Sequence, residues 1–290
     1  MSFFRYPGGK SKLKKEIVGS LTFQKKPYLT RYCEPFWGGG SIGMAFIFAD
    51  PDISNVWIND KDIGIASLWT AVIRYSKDLE KLVREFKPSI DKFYEFKKIL
   101  LEISEMPTNP KEILQIGFQK LAIHQISYSG LGTKSGSPLG GNKQKSNYKI
   151  DCRWSPNYIC KNISKINYKL NSIKIHRDCC TNLDFEEVIN NNEHQSLLYL
   201  DPPYYEQGNN LYQEGFTETQ HQKLADILQQ TKHSWILSYD DCEEIERLYN
   251  WAYVRKIDVS YTINTEGGEG KSIKNKKELL ILPKEGKIVL

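Results

Sequence analysis

The chain has 290 residues, 40% of them apolar, with 40 lysines and arginines against 35 aspartates and glutamates, a net charge of +5. That length can bury the core of one large domain, or of one domain with an inserted module. No apolar run approaches the roughly 18 uninterrupted residues of a membrane span, and residues 1–20 carry lysines without the apolar block of a signal segment, so a cytosolic protein is expected. The six cysteines (Cys33, Cys152, Cys160, Cys179, Cys180 and Cys242) show no C-x-x-C spacing, and neighbours such as Cys179 and Cys180 seldom bridge each other. Reduced thiols are expected, with neither a zinc site nor a disulfide frame.

The pattern predicts a strand over 31–35, a helix over 41–49, a strand over 56–59 and a helix over 63–75, a βαβ opening. Where the first strand turns into its helix stands Glu34-Pro35-Phe36-Trp37-Gly38-Gly39-Gly40-Ser41. Three successive glycines let a ligand approach the backbone closely, and free N–H groups at a helix start favour a carboxylate or phosphate. The spacing is not that of the dinucleotide G-x-G-x-x-G motif. Asp60, at the end of the second strand, is placed to accept hydrogen bonds from ribose hydroxyls. Alone, the glycine triplet is also a plain tight turn and Asp60 is more often a helix cap; their order along the chain is what joins them.

Residues 77–126 read as mostly helical, with breaks at Pro88, Pro107 and Pro110. Residues 130–177 then hold ten basic side chains and a single acid, Asp151, whereas 178–290 hold 11 basic and 20 acidic ones. Tyr148, Trp154, Tyr158 and Tyr168 are set among those lysines. Basic groups neutralise phosphates and aromatic faces stack on bases, so this block is expected to meet nucleic acid, with Lys134, Lys143, Lys145 and Arg153 as candidate contacts. The segments Ser129-Gly130-Leu131-Gly132 and Gly136-Ser137-Pro138-Leu139-Gly140-Gly141 read as mobile loops that order on a partner.

Strand–helix alternation resumes with strands over 173–176 and 197–200, a helix over 219–229, a strand over 235–238, a short helix over 243–249 and terminal strands over 254–259 and 278–282. Runs apolar on both faces argue for a largely parallel, buried, doubly wound α/β sheet interrupted by the helical middle. The strand over 197–200 ends in Asp201-Pro202-Pro203-Tyr204. The prolines donate no backbone hydrogen bonds and fix φ, so the chain leaves the strand as a rigid, acceptor-rich turn. A purine's exocyclic amine is a poor nucleophile while its lone pair is delocalised. If Asp201 and the Pro202 carbonyl each take one N–H, the nitrogen can attack a methyl group on a sulfonium, with Tyr204 stacked on the ring; no metal is required. As a lone tetrapeptide the same residues also read as an ordinary Pro-Pro turn.

Three motifs together resemble the D12-class, Dam-like N6-adenine DNA methyltransferases, which use S-adenosylmethionine: Phe3-Phe4-Arg5-Tyr6-Pro7-Gly8-Gly9-Lys10, the loop from Glu34 to Ser41, and Leu198-Tyr199-Leu200 running into Asp201-Pro202-Pro203-Tyr204. Gly267-Gly268, followed by Lys277-Glu278-Leu279-Leu280, is a fainter match. The resemblance implies a Rossmann-like, S-adenosylmethionine-dependent methyltransferase domain at 1–75 and 171–290, with an inserted, mainly helical DNA-recognition domain at 76–170. It implies Tyr6 and Lys10 enclosing the cofactor, Glu34, Phe36, Gly38 and Gly40 in the loop beneath its methionine part, Asp60 on its ribose, Asp178 on its adenine and Asp201 near its methyl group. Asp178 is equally a strand-end cap. Arg5 stands where the family sets a basic residue against its target, and the substrate implied is a base turned out of double-stranded DNA in a bacterial or phage-infected cytoplasm. A cognate restriction endonuclease would act as a separate protein. Pro7 stands where a small residue such as alanine is common in the family, and Trp37 and Gly39 occupy variable loop positions. The same turn suits an RNA base-amine methyltransferase, and the basic block alone suits a DNA-binding regulator without catalysis.

Overall fold

The computed structural model describes residues 3–10, 12–191, 193–205, 215–264 and 271–284. Strands β1 (Arg31–Glu34), β2 (Asn55–Ile58), β3 (Lys174–Ile175), β4 (Leu197–Leu200), β5 (Ser234–Asp240), β6 (Tyr253–Asn264) and β7 (Lys271–Leu282) form one sheet in the order β3-β2-β1-β4-β5-β7-β6. The first five are mutually parallel, and β7 joins β5 and β6 antiparallel. β1 and β4 are buried at every position, because helices cover both faces of the sheet. Gly267 and Gly268 lie outside the described residues.

Side chains alternate between two apolar layers, as a strand's twofold repeat requires. On one face Tyr32, Val56, Ile58, Leu197, Tyr199 and Ile236 pack against α1 (Lys14–Gln24), α2 (Ser41–Ala49) and α3 (Ile63–Arg74). Behind these, α4 (Ser76–Glu85), α5 (Ile90–Glu102), α6 (Pro110–Ile126) and α7 (Pro156–Leu170) add Leu79, Phe93, Leu121, Ile163 and their neighbours to the same core. On the other face Cys33, Trp57, Leu198, Leu200, Trp235 and Leu237 meet α8 (Phe185–Ile189), α9 (Glu218–Gln230) and α10 (Glu243–Leu248). Residues 76–170 thus share a hydrophobic core with the sheet. The close approach is visible at Gly117 of α6, where a Cβ would stand 2.7 Å from Leu68 Cα of α3.

The prolines of the middle segment act as its sequence suggests. α4 ends before Pro88, Ser89 caps α5 by accepting from the Lys92 N–H, and Pro110 opens α6 behind an Asn109 cap. Three helices are absent from the sequence reading. α1 buries only Ile17, Ser20 and Leu21 and offers little periodicity. α7 does carry the signal, with Pro156 in its first turn and Ile159, Ile163, Ile166 and Leu170 at helical spacing, but its lysines dominate the composition. α8 is five residues long.

Strand order decides where the chemistry sits. The chain leaves β1 toward β2 on one side and arrives at β4 on the other, so the connections diverge between β1 and β4 and open a crevice beyond their carboxyl ends. Glu34 ends β1 and Asp201 follows β4, so two motifs 167 positions apart in sequence share one opening.

Candidate active site

A cavity of about 490 Å³ occupies that crevice. The sequence-predicted residues Arg5, Tyr6, Glu34, Phe36, Gly38, Gly40, Asp60, Asp201 and Pro203 line it with Trp37 of the same loop, joined by Tyr199, Leu183, Asp184, Phe185 and Phe216, which sequence reasoning did not assign. Its volume falls in the range of small-molecule sites.

The glycine loop is shaped by its contacts. Gly38 and Gly40 hold φ of 50° and 61°, a left-handed backbone that side chains rarely adopt. A Cβ on Gly38 would stand 2.7 Å from the Tyr6 ring, and one on Gly40 would stand 2.5 Å from Trp69. The Gly38 N–H donates to Asp60 Oδ2 at 2.6 Å and its carbonyl accepts from Trp69 Nε1 at 2.9 Å. Trp37 is buried, and its indole N–H has no acceptor among the described residues.

Asp60 Oδ1 accepts from the Asp62 N–H at 2.9 Å. Burial, then the neighbouring Asp62 charge, push the Asp60 carboxyl up to about 7, against the pull of those N–H donors and of Lys120. Asp62 caps α3 and pairs with Lys120 Nζ of α6 at 2.5 Å, a buried ion pair that fastens the middle segment beneath the loop. Glu34 is buried and accepts a hydrogen bond from Tyr32 Oη; burial pushes its carboxyl well above the usual range.

Asp201 is held from two sides. Lys10 Nζ meets Oδ1 at 2.5 Å and the Ser238 hydroxyl donates to the same oxygen at 3.0 Å. Glu278 Oε2 lies 3.8 Å from the same ammonium, whose centre stands 4.5 Å from the Tyr204 ring centroid. Burial raises the Asp201 carboxyl from its usual value while Lys10 pulls it back. Burial opposes the Lys10 charge, yet Asp201, Tyr204 and Glu278 together hold that ammonium well above its ordinary range. Lys10 therefore stands behind Asp201 and not on the cavity wall, and one face of Tyr204 covers Lys10. Pro202 is buried in the turn.

Asp178 is not brought to the cavity. It is exposed on a tight turn after β3 with φ of 54°, where its carbonyl accepts from Arg74 Nε at 2.6 Å. The acid at that corner is Asp184, which caps α8 in a box with Glu187 and lies 3.2 Å from Lys61 Nζ. Asp184 followed by Glu187 is a capping-box pattern that the sequence offered. Beside it Phe36, Phe185 and Phe216 stand with ring centroids 5.2 to 5.8 Å apart and their planes tilted to one another, an apolar wall.

At the mouth, Arg5 donates to the Ser127 carbonyl at 3.5 Å and packs over Gly130. Burial, then the Arg153 charge, lower the Arg5 guanidinium from its ordinary value. Lys134, Lys143 and Lys145 are exposed. The glycine-rich segments expected to be mobile loops carry internal hydrogen bonds: Ser127 Oγ accepts from the Gly132 N–H at 2.9 Å, and Gln144 Nε2 donates to the Leu139 and Gly141 carbonyls at 2.8 and 2.7 Å. His124, under this loop, donates through Nδ1 to the Gly130 carbonyl at 2.8 Å and packs on Tyr6; burial, then Lys120, push its imidazole down to about 3, so it stays neutral.

The model of the D12 class N6 adenine-specific DNA methyltransferase family matches residues 6–263. No curated protein matches the chain. Among the described residues no helix is long and apolar enough to cross a membrane.

Proposed function

The chain belongs to the D12 class of N6 adenine-specific DNA methyltransferases, and we propose that its cavity holds S-adenosylmethionine as the methyl donor, facing an adenine turned out of double-stranded DNA. The observation that carries this reading is the convergence of Asp201, the glycine loop and Asp60 on one cavity at the sheet's switch point. The residues present suit such a donor. Asp60 offers acceptor oxygens to ribose hydroxyls, the wall of Phe36, Phe185 and Phe216 suits an adenine face, and the turn into α2 admits a backbone-hugging methionine part. Bound there, S-adenosylmethionine supplies a methyl group on a sulfonium that leaves as a neutral thioether.

Asp201 and the Pro202 carbonyl each accept one N–H of the target amine, which localises the nitrogen lone pair toward the methyl group. The new N–C bond forms as the C–S bond breaks, and the surplus proton on nitrogen leaves through the Asp201 carboxylate to water. Tyr204 offers its second face to the base. Unstacking the base costs a few kcal/mol, and an aromatic contact recovers about 1 to 3 kcal/mol. Arg5, Arg153 and the exposed lysines of 130–177 grip the flanking phosphates. Labelled-methyl transfer to DNA compared with RNA tests the substrate, and sequencing adenines in the DNA of an expressing host gives the target bases; label appearing only in RNA would refute the reading.

Two further outcomes are expected. Replacing Lys143 and Lys145 together by Ala should weaken DNA binding and reduce the slope of log K against log salt by about 2, since each phosphate contact contributes about 0.9. An unchanged slope would remove this face from the DNA interface. Asp60 titrates near 7 in the free protein, and its ionised form is the better acceptor for ribose hydroxyls. Donor affinity should therefore fall on acidification below about pH 7, by up to about tenfold per unit, and level off above it. Calorimetric titration with S-adenosylmethionine across that range reads it, with Asp60→Asn expected to flatten the profile; constant wild-type affinity through pH 6 would contradict the role.

A further inference from the structure

We propose that Ser238, oriented by the Tyr199 hydroxyl, is a positioning residue that fixes the Asp201 carboxylate in the rotamer and charge state that methyl transfer requires. The inference rests on the assignment of Asp201 as acceptor of the adenine amine.

Its basis is a chain of hydrogen bonds across neighbouring strands. In the parallel register Leu200 of β4 stands opposite Leu237 of β5, so the next positions, Asp201 and Ser238, face each other just beyond the paired residues. Ser238 is fully buried and lies 3.0 Å from Asp201 Oδ1 and 2.8 Å from Tyr199 Oη. Its one proton has three acceptors in reach, the third being the Leu200 carbonyl at 3.4 Å. The Tyr199 phenol decides among them. Burial, then the Asp201 charge, raise that phenol well above its ordinary value, so it keeps its proton and donates to Ser238 Oγ. Ser238 is thereby left to donate, and the shorter of its two remaining contacts is the charged carboxylate oxygen.

The consequence lies in which oxygen is occupied. Oδ1 receives both Lys10 and Ser238, whereas Oδ2 has no donor among the described residues. With Oδ1 engaged by two donors, Oδ2 is the oxygen that can receive an incoming N–H. Ser238 also favours the ionised carboxylate, as a donor to a charged acceptor does. The charged and titratable groups around Asp201 come from every neighbouring element: Lys10 before α1, Glu34 of β1, Tyr199 of β4, Tyr204 of its own turn, Tyr239 of β5 and Glu278 of β7. Of these Lys10 alone is positive, and the acids and burial oppose ionisation. Loss of a neutral donor should therefore be felt as a shift toward protonation.

Single-turnover transfer of labelled methyl from S-adenosylmethionine to unmethylated genomic DNA, at saturating cofactor and DNA, separates this from cofactor binding. Ser238→Ala should move the acid limb of the rate profile up by about one pH unit, giving about tenfold loss below the limb and little above it. Tyr199→Phe should move the limb the same way by less, because it acts through Ser238. Ser238→Thr, which keeps the hydroxyl, should retain the wild-type limb, and KM for the cofactor should not change in any of the three. A limb that stays in place in Ser238→Ala, or a loss equal at every pH, overturns the proposal. If Ser238→Ala does not fold, as judged by thermal melting, Tyr199→Phe carries the test, and its failure to move the limb is decisive. Activity in Asp201→Ala would instead overturn the assignment of Asp201 itself.

Discussion

Asp201→Ala is expected to all but abolish methyl transfer, with a loss of about 10³-fold, the upper end of what removing one preorganised polar partner costs. The carboxylate is the proposed side-chain acceptor at the end of β4, and Lys10 and Ser238 hold it in place at 2.5 and 3.0 Å. Donor binding should survive in part, because in the proposed arrangement Asp60, the glycine loop and the phenylalanine wall would contact the rest of the donor. The measurement is methyl incorporation into DNA beside a calorimetric titration with S-adenosylmethionine. Asp201→Ala leaves Lys10 with Glu278 at 3.8 Å, and Asp201→Asn, which keeps the shape, guards against a loss due to misfolding. Full activity in either folded variant would refute the site.

The second large effect concerns stability. Lys10→Met should destabilise the protein by about 3 to 5 kcal/mol, the cost of stripping one partner from a buried ion pair. Its side chain is 2% exposed and that of Asp201 17% exposed, so water replaces little of the lost attraction. The pH dependence carries the sign. Without Lys10 the folded-state Asp201 carboxyl rises further above its unfolded value, so the native state binds the proton more tightly than the unfolded chain. Stability is then retained at low pH and lost as pH rises through the folded value, and the deficit against wild type should be greater at pH 8 than at pH 5. Urea denaturation at both values reads this. An equal deficit at both would mean that Lys10 contributes packing and not charge.

A large part of the fold was legible in the residues. Both-sided apolar strands such as Leu-Leu-Tyr-Leu before Asp201 announced a buried parallel sheet, and Pro88 and Pro110 marked helix boundaries through chemistry that acts within a few residues. β6 and β7 proved longer than their apolar stretches, since an antiparallel pair can continue in polar sequence while its backbone bonds are met. α7 stayed hidden because its lysines and asparagines dominate the composition of that stretch, although Ile159, Ile163 and Ile166 carry the helical period.

The candidate site divides in the same way. Glu34 to Ser41, Asp60 and Asp201 to Tyr204 are each a local pattern at a strand end, and strand ends in an α/β sheet are where ligands bind. Asp178, expected on the cofactor's adenine, lies outside the cavity that Asp184 lines, because Arg177 and Asp178 take left-handed backbone after β3 and are exposed. Ser238 and the burial of Lys10 behind Asp201 were likewise invisible, being contacts across 37 and 191 positions. The sequence by itself determined the parallel sheet, the motifs and the reaction class, because these reside in neighbouring residues whose chemistry does not depend on distant partners. Only the tertiary structure decided which acid enters the cavity, which oxygen of Asp201 is held and which groups shift its charge, because burial and Coulomb attraction act through space and are set by strand order.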